Sequence, residues 1–127
     1  MNPHEEAFVR AFVAPARQER FLTFVSNPKK RQKFIDELCH VKPGFLAEKY
    51  VRPIVGAEDL PSALFKSLRA MGAPERCWVI GGRLDGREVE LMEAIREAAG
   101  RDGVLLSCIP GRLAYLAGED DSFLCCR

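Results

Sequence analysis

Two short apolar runs, CWVI beginning at Cys77 and GVLLSCI beginning at Gly103, bracket the segment REVELMEAIREAA in the C-terminal part of the chain. Short apolar runs bounded by glycine fit buried strands, whereas the segment between them repeats its apolar residues at helical spacing. Strand, helix, strand implies a right-handed parallel crossover, a stronger constraint on topology than any other feature of the sequence. Pro110-Gly111 then supplies the residues of a type II turn, and RLAYLA and SFLCCR, separated by GEDDS, read as two antiparallel strands. The expected sheet is small and mixed, built from a C-terminal β-α-β-β-β unit.

The N-terminal third follows a different period. Asn2-Pro3 is a helix-start signal followed by the apolar stripe Phe8, Val9, Phe12 and Val13. Pro15 opens a second helix containing Phe21, Leu22, Phe24 and Val25, and Asn27-Pro28 repeats the start signal, with Asn27 as the cap of a third. Helical spacing lapses from Val41 to Gly56, where Pro43, Gly44, Pro53 and Gly56 punctuate a loop whose strand-like piece, Tyr50 to Val55, reads as an edge strand. Leu60, Leu64, Phe65, Leu68 and Met71 restore the helical spacing before Gly72-Ala73-Pro74 stops it. The fold class expected is α+β, with three N-terminal helices and a fourth packed on the sheet. The whole forms a single domain, 1–127, divided into a helical part (1–41), a loop with an edge strand (42–57) and an α/β part (58–127).

Nineteen Lys and Arg against eighteen Asp and Glu leave a net charge of +1, so nucleic-acid binding cannot involve the whole surface and must be local. The N-terminus lacks a basic region followed by an apolar core, and no apolar run approaches the length of a membrane span. Five cysteines without CxxC spacing read as reduced thiols. Together these features predict a cytoplasmic protein without disulfides.

The densest charge is SNPKKRQKF, residues 26–34, which crowds cations into the start of a helix, where the dipole favours acids. On a helical wheel Lys29, Lys30 and Lys33 lie opposite Phe34, Ile35 and Leu38, while Arg31 falls among the apolar positions and must snorkel or leave at the helix start. A solvated face is the ordinary explanation of such a run. The functional one is phosphate or a nucleic-acid backbone, with no interleaved aromatics to stack on bases.

In GGRLDGRE, residues 81–88, Asp85 and Glu88 have capping-box spacing, and Leu84 and Val89 occupy the hydrophobic-staple positions, so both carboxylates are expected to be structural caps. The glycines lack the rest of a dinucleotide fingerprint. Capping does not account for the arginines. If the two apolar runs are neighbouring parallel strands, Arg83 and Arg87 follow the carboxyl end of one and Arg112 that of the other, at the edge where open α/β sheets bind ligands. Three guanidinium groups there would suit a small phosphorylated molecule.

Cys77 and Cys108 sit among apolar neighbours as inert core thiols, and a cysteine nucleophile would need His4 or His40, the two histidines present, as its base. Cys39-His40 with Cys125-Cys126 offers four possible zinc ligands, but vicinal strand residues point to opposite faces, so no metal is expected. Glu119, Asp120 and Asp121 read as a solvated turn. The expectation is therefore a binding domain without cofactor or indicated catalysis. Its ligand is an anion, held either at Lys29, Lys30 and Lys33 or at Arg83, Arg87 and Arg112. The alternative is a small protein-interaction module, such as an adaptor or toxin-neutralising protein, whose charge clusters form an interface rim.

Overall fold

The computed structural model describes residues 2–54, 60–119 and 121–127; residues 55–59, including Val55 and Gly56 of the expected loop and strand, and Asp120 of the acidic turn lie outside the described residues. The first helix, α1, spans Pro3–Phe12, and Asn2 Oδ1 accepts the amides of His4 and Glu5 as its cap. A 3-10 turn at Pro15–Arg17 leads into α2, Gln18–Ser26. The second Asn-Pro signal starts a 3-10 turn, Pro28–Lys30, which Asn27 caps by accepting the Lys29 amide; α3, Arg31–Cys39, follows without a side-chain cap of its own. The edge strand β1 is Val51–Ile54, and α4 is Pro61–Ala70.

The C-terminal part departs from the expected crossover. REVE is not the first turn of a helix. β2, Arg76–Ile80, turns back through residues 81–86 into β3, Arg87–Glu90, and α5 begins only at Leu91 and ends at Ala99. Gly86 N–H closes this hairpin on Val79 O, with Gly81, Gly82 and Gly86 all at positive φ. β4, Val104–Ile109, therefore pairs antiparallel with β2; it runs in the direction of β3 with β2 between them. β5, Leu113–Ala117, and β6, Ser122–Cys126, complete a six-stranded sheet in the order β1-β6-β5-β4-β2-β3. Every neighbouring pair is antiparallel, so the expected mixed sheet is corrected to an antiparallel one within an α+β fold. Strand alternation in REVE, which buries Val89 and exposes Arg87, Glu88 and Glu90, pairs with β2 and overrides the helical reading.

Pro110-Gly111 forms the turn expected of it: Arg112 N–H bonds Ile109 O at 2.9 Å, and Gly111 has φ 70°, which L side chains resist. Side-chain alternation divides the interior into two layers. Val79, Val104, Leu106, Cys108, Leu113, Tyr115 and Leu124 face α4 and α5. Ile80, Leu105, Ala114, Leu116 and Cys125 face α1, α2 and α3. The latter layer is aromatic, with Phe21 central: its ring centroid is 5.4 Å from Phe24, 5.9 Å from Phe34 and 5.0 Å from Phe45. Among the described residues no helix is long and apolar enough to cross a membrane.

Candidate functional site

Two helices of the N-terminal layer carry a charge on the stripe that should be apolar. Glu5 shares its face of α1 with Phe8, Val9 and Phe12 and is 2% exposed. Arg31 opens α3 on the side of Phe34 and Leu38. The two meet: Arg31 Nη1 donates to Glu5 Oε1, while Glu5 Oε2 accepts the Trp78 indole N–H at 2.9 Å. Arg31 Nε and Nη2 also donate to Asp85 Oδ2 and Oδ1 at 3.0 and 2.8 Å, a bidentate fork. Asp85 is thus a corrected assignment. It caps no helix, since α5 starts after Glu90; it accepts the Gly81 N–H at 2.7 Å and anchors the β2–β3 loop to α3. Its expected partner Glu88 lies exposed on β3, 4.0 Å from Arg76, and the staple residues Leu84 and Val89 both face the α4–α5 layer instead.

Burial by itself would raise the Asp85 carboxyl pKa, but the Arg31 fork and the Gly81 amide outweigh it and hold the group below the usual range. The same fork, with Glu5, holds the Arg31 guanidinium above its ordinary value against the effect of burial. Beside this network His4 Nδ1 and Ser107 Oγ are 2.7 Å apart, and the His4 ring stacks on Trp78 with 11° between planes. A serine hydrogen-bonded to histidine has the contact of a nucleophile and its base, but Ser107 is 1% exposed and closed to substrate, so the pair clamps α1 to the sheet.

Burial lowers the His4 pKa, against the opposing pull of Glu88 and Glu5. Between the lowered folded value and 6.5 the unfolded chain binds more protons, so stability rises with pH in that window. The expected outcome is full stability from this group above pH 6.5 and progressive loss as pH falls toward the folded value. Urea denaturation across that range should show it, and His4→Gln should flatten the dependence.

The basic run divides. Arg31 is taken inward by the carboxylates, whereas Lys29 and Lys30 on the 3-10 turn and Lys33 on α3 are exposed. None of these three lysines has an ion-pair partner among the described residues, while Arg10, Arg76, Arg83 and Arg101 each have one and Arg31 has two. Arg20 of α2 joins them: its guanidinium lies 5.2 Å, and the Lys33 ammonium 5.9 Å, from the centroid of Phe24, beneath both. Phe24 is buried and packs the cations without offering a face to a base.

The three arginines of the expected crevice do not converge. Because β2 and β4 are antiparallel, the carboxyl end of β2 lies beside the amino end of β4. Arg83 and Arg87 therefore sit at one end of the sheet and Arg112, after β4, at the other. Arg83 pairs with Glu97 at 3.8 Å, and Glu97 also holds Arg101 at 3.2 Å.

Cys77, Cys108 and Cys125 are buried and Cys126 is exposed. A thiol hydrogen bond with Cys77, together with burial, pushes Cys108 up, and burial pushes Cys125 up to about 12. Burial, with Asp36, Asp102 and Glu119, raises Cys39 as well. His40 pairs with Glu119, and no group of three potential metal ligands occurs among the described residues.

Nothing in the sequence marks Glu5, Trp78 or Ser107, and His4 enters it only as a conceivable base for a cysteine. The two opposite charges interrupting the apolar stripes of α1 and α3 were the signal that could have paired Glu5 with Arg31. No family model, curated protein or solved structure matches the chain.

Proposed function

We propose that the domain binds a nucleic-acid backbone through the corner between α2 and α3. The observation that carries this reading is the division of the basic run: one cation is held by the buried Glu5 and half-buried Asp85 carboxylates, while Lys29, Lys30 and Lys33 remain exposed without an acidic partner among the described residues. Cations at a helix start oppose its dipole, a small standing cost that a bound polyanion would reverse. The buried Phe24 and the absence of interleaved aromatics make this a contact to phosphates, indifferent to sequence. The role is binding, not catalysis.

Fluorescence anisotropy with labelled single-stranded DNA and RNA at low salt tests it. Replacing Lys29, Lys30 and Lys33 together by Gln should weaken binding about equally for unrelated sequences. The log-affinity versus log-salt slope should become shallower by about 2, from ~0.7 per lost phosphate contact on a single strand. A wild-type protein that binds neither nucleic acid at low salt overturns the reading. The second reading, a protein-interaction module, is favoured by an apolar groove of about 440 Å³ beside the edge strand, lined by Val41, Pro43, Leu46, Val51, Pro53 and Phe123.

A further inference from the structure

Resting on that reading, we infer that the α2–α3 corner takes a double helix in preference to a single strand, with Arg20 as a fourth phosphate contact beside the three lysines. One ring joins cations from the two helices. The centroid of Phe24 on α2 lies 5.2 Å from the Arg20 guanidinium and 5.9 Å from the Lys33 ammonium of α3, so both charges stand on one patch of surface. Lys30 is one turn before Lys33, and Lys29 adjoins it on the 3-10 turn that links the helices. Arg20 is exposed and, like the lysines, has no carboxylate partner among the described residues. Acids bound the patch: Glu19 directly precedes Arg20, and Glu37 and Asp36, which accepts the Gln32 side-chain amide at 2.9 Å, follow Lys33 by one turn. The footprint is therefore short, with Arg20, Lys29, Lys30 and Lys33 as its cations.

Proteins that hold single strands without regard to sequence add the stacking of bases on aromatic faces to the pull on phosphates. This molecule keeps its rings for itself. Of eight Phe, two Tyr and one Trp, none is exposed. Phe24 lies buried beneath the cations; the Trp78 ring stacks on His4 and its N–H is held by Glu5; the Tyr50 ring has Lys49 and Arg127 at 5.5 and 4.6 Å from its centroid. What the corner offers is charge alone, and charge alone favours the ligand whose phosphates are denser. Duplex DNA carries one negative charge per ~1.7 Å of axis, each of its strands one per ~3.4 Å. A double helix also stacks its bases on one another, so the missing aromatic platform costs it nothing, whereas a single strand forgoes the contacts that would compensate its lower charge density.

Anisotropy with a labelled DNA duplex of about 20 base pairs, an RNA duplex of the same sequence and the corresponding single strands decides this. Wild type should bind the DNA duplex at least about fivefold more tightly than its single strand at equal salt, with a log-affinity versus log-salt slope of about −3.6, from ~0.9 per phosphate contact. Arg20→Gln should make that slope shallower by about 0.9, and Arg20→Lys, which keeps the charge, should restore it. Arg87→Gln should change neither probe: Arg87 lies opposite Val79 of β2 and thus on the α4–α5 face of the sheet. The RNA duplex separates the two sources of a double helix, the tighter of the two duplexes naming the ligand. If the single strand binds as tightly as the duplex while the Lys29, Lys30 and Lys33 triple variant loses both, the preference for a double helix is wrong and the parent reading stands. An Arg20→Gln slope equal to wild type removes Arg20 from the footprint. If wild type binds no probe at low salt, the parent reading fails and this inference with it.

Discussion

Arg31→Ala is expected to destabilise the protein by about 3–5 kcal/mol, measured by chemical denaturation, because it leaves the Glu5 carboxylate buried without its cation. Truncation also frees Asp85 and with it the loop that Asp85 anchors. Lysine should rescue only part of the loss, since an ammonium cannot reproduce the fork to both Asp85 oxygens while reaching Glu5. A double variant, Glu5→Gln with Arg31→Ala, should cost less than the sum of the single changes by about 1–3 kcal/mol. Glutamine keeps an acceptor for the Trp78 indole and removes the stranded charge. An Arg31→Ala protein as stable as wild type would mean that water reaches Glu5 and that the pair is no more than a surface contact.

The second large effect belongs to Phe21. Its ring is fully buried and touches three other phenylalanines drawn from α2, α3 and the segment before β1, so Phe21→Ala should cost about 3–5 kcal/mol by opening a cavity that the surrounding rings cannot close. Phe21→Leu should cost less, and the difference between the two variants measures how far α2 and α3 relax toward each other. Thermal melts should remain cooperative for both.

The N-terminal half was legible because its signals are local. Asn2-Pro3, Pro15 and Asn27-Pro28 act on the next turn of chain, and each marks a helical start in the structure. The β2–β3 hairpin was not, because REVE satisfies two templates at once: its charges suit the first turn of a helix, and its single apolar residue suits a half-buried strand. Pairing with β2 decides between them, and pairing is not written in the segment itself. That error propagated. A helix beginning at Arg87 made Asp85 a cap, and parallel strands gathered Arg83, Arg87 and Arg112 into one crevice; one unrecognised strand undid both. The ionic junction was half visible. Arg31 stands out in the sequence as a cation on an apolar stripe, but Glu5 lies in the first turn of a helix, where an acid is ordinary and draws no notice.

The place of β6 in the sheet bears on the order in which the molecule assembles. β6 lies inside the sheet, between β5 and β1, and among the described residues β1 pairs with it and with no other strand. Val51 meets Cys125 only after some seventy residues of intervening chain have been gathered, a loop closure whose entropy must be met before its contacts contribute. The β4–β5–β6 meander and the β2–β3 hairpin close over short turns and can form early; β1 is the latecomer, added to a surface the rest has already built. The same asymmetry holds on opening. Amide exchange in Val51–Ile54 should report release of a single strand from an otherwise intact sheet, placing the least protected backbone at the edge that borders the apolar groove.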